Sequence, residues 1–392
     1  MGWNYLATMW RPGVGYILAT VALLALFTFR LGTVPPNFSP PEAAARASSV
    51  SIKLIVENPV NAPHKVGQYA LQKLRHRGLF AMRVVSVGFA LAAVWMFYIL
   101  VSRWHTQRIA ILATLLFATS SWTLHTGRLA TPNVLLFALL AIVTCGFHIR
   151  YAQDRARAWL FASLVVGMSF YVPMMIWFIV LGFIWQAKLI RQSMRHLSNG
   201  VRLACLGVLV ACVIPLVVAL VRRPELWHDL TGLPVHYDNA VTTLKNIGRV
   251  PLAFVARMPA NPVFWLGRLP ILDLFSGVMV IFGVYAYAFK LRLHRTQLLI
   301  VILVFGTILV GVSGQLQNLT MLLPFVYLIV AAGVTLMLQQ WFTVFPRNPI
   351  ARNIGLGLIV AAVLAACAYQ LLNYFVAWPN NPDTRVVYSI KP

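Results

Sequence analysis

Apolar residues in this chain come in long unbroken runs, with polar residues gathered between them. The runs lie near 14–33, 80–101, 108–125, 131–148, 158–170, 172–187, 200–221, 271–290, 297–313, 319–339 and 354–376. A helix that crosses a bilayer needs about 20 apolar residues, and inside lipid its backbone must bond to itself. The pattern therefore predicts an all-α polytopic membrane protein with about 11 transmembrane helices, organised as a single membrane domain over 1–392. The fifth and sixth runs are short and meet at Tyr171-Val172-Pro173. Proline removes a backbone donor there, so a broken hairpin is expected.

Two long polar stretches interrupt the runs, 34–79 and 222–270. In the first, Ser39-Pro40-Pro41-Glu42 has the form of a capping box, with Ser39 as N-cap and Glu42 three residues on. The alanines that follow favour a helix. From His64 to Arg77, Val66, Ala70 and Leu74 recur at four-residue spacing, and Gly78 stops the pattern. Both segments predict helices lying on the membrane surface with their apolar faces toward lipid.

Charge orients the runs. Arg103, Arg108, Arg150, Arg155, Arg157, Lys188, Arg191, Arg195, Arg202, Lys290, Arg292, Arg295, Arg347 and Arg352 all fall in alternate short connections. Short basic loops stay in the cytoplasm. The N-terminus is therefore placed inside, and both long loops and the tail 377–392 outside, for a multi-pass protein of the cell membrane. The same basic residues account for the net charge of +24, so nucleic acid is not called as a partner. With 60% hydrophobic residues and a mean hydropathy of +0.78, the lipid bilayer is. Cys145, Cys205, Cys212 and Cys367 all lie within apolar runs and imply neither a disulfide framework nor a metal site.

Several short segments, taken in order, bring a family into view. Gly78-Leu79-Phe80-Ala81-Met82-Arg83 is followed by Phe117-Ala118-Thr119-Ser120-Ser121-Trp122, then by His125-Thr126-Gly127-Arg128-Leu129-Ala130-Thr131-Pro132-Asn133. This order resembles the membrane glycosyltransferases of the GT-C class, in particular the protein mannosyltransferase and lipid A aminoarabinose transferase group. The resemblance covers roughly 15–190 and extends to the rest in layout. It implies a GT-C-like fold and transfer of a sugar from a polyprenyl-phosphate donor to an acceptor on the outer face, the acceptor being unknown. It also implies a carboxylate base in the first outer loop. The family's acidic pair reads Pro41-Glu42 here, which leaves Glu42 as the catalytic candidate, and Asn133 stands where a second acid often opens the fourth span. The family's loop lysine corresponds most nearly to Lys65.

Transfer from a sugar phosphate requires a base for the acceptor proton and cations for the departing phosphate. Glu42 is weighed as base against its role in the capping box. Lys65, Arg128 and Arg268 lie just outside predicted spans, where a lipid phosphate sits, and each is weighed against an anchor that snorkels to the headgroups. With His64 and Asn133 they make up the predicted substrate-binding set. His64, His125, His228 and His236 have no helix-spaced metal pattern, so no metal is assigned. A divalent ion stays open as a cofactor, with Asp229 and Asp238 as loop carboxylates near the surface. Two other readings remain. One is a catalytically inactive GT-C-like protein that binds lipid or assists another enzyme. The other is a transporter, against which stands the near absence of charge deep in the runs.

Overall fold

The computed structural model describes residues 12–74, 78–237 and 239–390. Among these the chain is helical, with one isolated bridge between Phe38 and Ile390. Helices long and apolar enough to cross a membrane are Leu79–Trp104, Pro132–Tyr151, Asn199–Arg222, His294–Ser313, Leu323–Val344 and Pro349–Asn380. The pair Gln107–Thr119 and Ser121–Arg128, bent by 61°, passes the same test when its two parts are taken together as one broken span. Val14–Thr28 and Leu274–Ala288 are apolar but shorter. These six or seven spans establish a multi-pass membrane protein, and do not by themselves establish the expected count of eleven. Arg155–Ser169 and Met175–Arg195 stand where the broken hairpin is predicted, separated by a turn in which Met174 takes a left-handed φ of 68°.

Consecutive helices joined by short turns sort the connections to two ends of the bundle. At one end the two long loops, the 170–174 turn and the C-terminal tail interlock. Asn61 N donates to Tyr171 O at 2.7 Å, and Met174 N donates to Leu230 O at 2.9 Å. Trp378 Nε1 donates to Pro262 O, and the Tyr388 hydroxyl donates to Val263 O. At the opposite end, Arg295 Nη1 bonds Trp104 O and Gln186 Nε2 meets His294 Nε2 at 3.0 Å. The predicted outer loops therefore share one end and the basic connections share the other.

Close helix packing places the last spans. At the crossing of Leu274–Ala288 with Leu323–Val344, a Cβ on Gly283 would collide with the Ile329 carbonyl, and one on Gly333 with the Met279 carbonyl. Small residues let two backbones touch where lipid supplies no hydrophobic drive. Leu323–Val344 is consequently buried along most of its length and forms the bundle's central post.

The first long loop folds into three short helices, labelled α1 (Pro40–Ala47), α2 (Ile52–Glu57) and α3 (Ala62–Lys73). In α3 the apolar positions point away from the protein, with Val66 53% and Leu74 66% exposed, while His64, Lys65, Gln68 and Gln72 are buried. Ile52, Leu54 and Val56 of α2 are exposed as well. The polar face packs on protein and the apolar face is turned outward, as suits a helix bedded in a lipid surface. The second long loop contains a helix absent from the sequence reading, Ala240–Val255, which packs on His294–Ser313 where Gly311 admits Ile247.

Candidate functional site

At the loop-bearing end the first charged group to examine is Glu42, at the third position of α1. Its carboxylate is fully buried and takes five donors. Oε1 accepts from Arg83 Nε and from Ala130 N, both at 2.9 Å. Oε2 accepts from Ser39 N at 3.1 Å, Ser39 Oγ at 3.2 Å and Arg83 Nη2 at 3.2 Å. A carboxylate offers about four lone-pair sites, and the five donors occupy them in this structure. The capping box with Ser39 supplies two of the five, and Arg83 and Ala130 supply the other three. Arg83 spends its remaining donors on the carbonyls of Leu31, Pro35 and Asn37. The pair clamps the start of the loop onto the span that begins at Leu79 and onto the segment after Arg128.

The expected phosphate ligands separate into distinct environments. Arg128 is wholly buried. Its guanidinium bonds Leu26 O at 2.8 Å, Phe29 O at 2.6 Å and Tyr374 Oη at 3.2 Å, and lies over the Tyr374 and Phe375 rings. It caps carbonyls left free where helix Pro12–Thr28 ends. His64 is also buried, with Nε2 2.9 Å from Ser86 Oγ, and burial pushes its pKa down to about 3. The neutral ring fastens α3 to Leu79–Trp104 and is not open to a substrate. Asn133 is half-buried in the tight turn Pro132–Phe137, and Arg268 is exposed in the second loop. Asp238 lies outside the described residues, as do Arg75 and Arg77.

Lys65 differs from these. It is 9% exposed, on the buried face of α3. Its ammonium donates to Asn58 O at 2.7 Å and to Asn58 Oδ1 at 3.3 Å. An ammonium has three donors, so one remains. No carboxylate lies within ion-pair distance of Lys65 among the described residues. Burial pushes its pKa down to about 8, and the nearby charge of Asp229 opposes that fall. Asp229 is exposed and sits in the second long loop, on Leu226–Thr231. The Arg223–Glu57 ion pair at 3.1 Å ties the two loops together beside them. Lys65 and Asn58 are thus in contact within one loop, and the charge of Asp229 acts on Lys65 from the other. The sequence flagged Lys65 and Asp229 separately, and nothing in it signalled Asn58. No group of three His, Cys, Asp or Glu side chains suited to a metal occurs among the described residues.

Residues 68–220 match the family described as dolichyl-phosphate-mannose-protein mannosyltransferase. The crystal structure of ArnT from Cupriavidus metallidurans in the apo state is similar over 96% of this chain and 78% of that one. The TM-score is 0.55 and the sequence identity 12%. No curated protein matches the chain. The chain has the fold of the GT-C class of membrane glycosyltransferases.

Proposed function

We propose that the protein binds a polyprenyl-phosphate-linked sugar at the loop-bearing end, on the outer face of the membrane, and transfers the sugar to an acceptor. The observation that carries this reading is the Lys65 ammonium, nearly buried, without an anionic partner in contact among the described residues and with one donor unspent. Desolvation destabilises such a charge, and an arriving phosphate relieves it. The exposed apolar faces of α2 and α3 lie beside it and bring the site to the depth of lipid headgroups. In this reading Glu42 and Arg83 hold the loop in place, and Asp229 is the carboxylate placed to take the acceptor proton. Asn133 and Arg268 are assigned in this reading as further contacts to the substrate.

The saturation of Glu42 favours a second reading. A chain whose first-loop carboxylate is closed by five donors would bind the lipid-linked sugar without turning it over, and would serve another enzyme. Turnover separates the two readings. The purified chain in lipid nanodiscs is given a panel of polyprenyl-phosphate sugars together with a cell-envelope extract as the source of acceptor, and release of polyprenyl phosphate is followed for wild type and for Asp229→Asn. Transfer by wild type that falls about a hundredfold or more in Asp229→Asn, the scale of general-base catalysis, supports the enzyme. Binding without release for every donor supports the accessory protein.

A further inference from the structure

A large cavity lies away from the Lys65 site, at the end that carries the basic connections. It measures about 570 Å³, within the usual range for ligand sites. Its walls come from Ala138–Tyr151, Arg155–Ser169, Met175–Arg195, the first half of Asn199–Arg222 and the start of His294–Ser313. They are almost wholly apolar through Ile142, Val166, Phe178, Ile179, Leu209 and Ile302. A second cavity of about 420 Å³ flanks the same stretch of Met175–Arg195 and shares Phe183, Ile190, Met194 and Arg202 with the first.

The mouth of the large cavity has the opposite chemistry. Arg150 and Arg155 stand there, both exposed, and neither has an ion-pair partner among the described residues. Arg202 is also at the mouth, its guanidinium held on the carbonyls of Met194 and Arg195. Among the short connections at this end Asp154 is the single acidic residue, and it pairs with Arg157 at 3.0 Å. Two glycines keep the cavity open: a Cβ on Gly146 or Gly182 would meet nothing within 4 Å. An apolar slot at bilayer depth, ending in unpaired guanidinium groups at the water interface, matches a molecule with acyl chains and an anionic phosphate head. The surrounding leaflet supplies such molecules, and basic residues at this level attract them.

We propose that this cavity is a binding site for one anionic phospholipid of the adjacent leaflet, its chains in the slot and its phosphate on Arg150 and Arg155. The site is separate from sugar transfer, and stands or falls independently of it.

Trp159 and Trp185 line the cavity and provide a built-in reporter. The full chain is reconstituted in phosphatidylcholine nanodiscs and titrated with phosphatidylglycerol or phosphatidylcholine brominated on the acyl chains. The signal of these two residues is isolated by subtracting the Trp159→Phe/Trp185→Phe variant. Brominated phosphatidylglycerol is expected to quench at a several-fold lower mole fraction than brominated phosphatidylcholine. Arg150→Gln and Arg155→Gln should each weaken that preference about fivefold, from the usual contribution of a basic residue near an anionic surface. Both arginines are exposed, so the variants fold. Gly146→Leu/Gly182→Leu should abolish the quenching by filling the slot. Equal quenching by the two lipids in wild type would mean an ordinary lipid annulus and overturn the proposal. A preference untouched by both Arg150→Gln and Arg155→Gln, or one that survives the glycine variant, would overturn it too.

Discussion

Arg83 Nε lies 2.9 Å from Glu42 Oε1, and solvent reaches neither side chain. A buried pair that loses one member leaves the other charged and unmatched, at a cost of about 3–5 kcal/mol. Glu42→Gln preserves the shape, but its single carbonyl oxygen can accept from Ala130 or from Ser39 and not from both, and it removes the charge opposite Arg83. Its denaturation midpoint in detergent should fall well below that of wild type. Glu42→Gln/Arg83→Met should recover part of the loss, since an apolar replacement removes the stranded charge. A midpoint equal to wild type in Glu42→Gln would show that the pair is not the clamp described here.

Lys65 gives the site a pH dependence of definite sign. Its pKa in the free protein is lowered to about 8, chiefly by burial. The ammonium is therefore present below about 8 and lost above it, while a bound phosphate holds the proton on. Affinity for a polyprenyl phosphate should be full near pH 7 and decline from pH 8 to 10. Lys65→Arg keeps its charge throughout that range and should bind with a flat profile. Equilibrium binding across the range checks this, and a flat profile for wild type would remove the lysine from the contact.

The contact between Gly283 and the Ile329 carbonyl leaves no space for a methyl group. Gly283→Ala forces two helices apart, and overpacking of this kind costs about 1–3 kcal/mol. Gly357, where a Cβ meets nothing within 4 Å, is the control. Thermal denaturation should separate Gly283→Ala from Gly357→Ala, the second matching wild type.

Orientation in the membrane is tested by labelling. Single cysteines at Gln153 and Ser389 are both exposed, one in the basic turn before Arg155 and one in the tail. An impermeant thiol reagent applied to intact cells should label Ser389→Cys and leave Gln153→Cys unlabelled. The reverse pattern would invert the topology and move Lys65 to the cytoplasmic face.

Much of this architecture was legible in the run pattern, because a segment in lipid has to satisfy its own backbone and so declares itself by length and hydropathy. The hairpin break was legible for the same local reason, a proline at position 173 between two short runs. Partnerships were not. Arg83 in an apolar run announces a need for a counter-charge, but its partner is 41 residues away. Arg128 was read as a phosphate ligand because it follows a predicted span, and the carbonyls and aromatic rings that hold it come from both ends of the chain. In α3 the periodicity picks out an apolar face, and the fold leaves that face exposed while drawing His64, Lys65 and Gln68 inward. The approach of Lys65 to Asp229 depends on two loops meeting, which no local pattern encodes.

The central claim is that Lys65 receives the phosphate of a lipid-linked sugar. It is tested most directly by equilibrium binding of a short-chain polyprenyl phosphate to wild type, Lys65→Ala and Lys65→Arg in nanodiscs at pH 7, with folding checked by thermal denaturation. A charge-assisted contact contributes about 1.5–3 kcal/mol, so Lys65→Ala should bind roughly tenfold to a hundredfold more weakly while Lys65→Arg stays close to wild type. Equal affinity in wild type and Lys65→Ala would contradict the account.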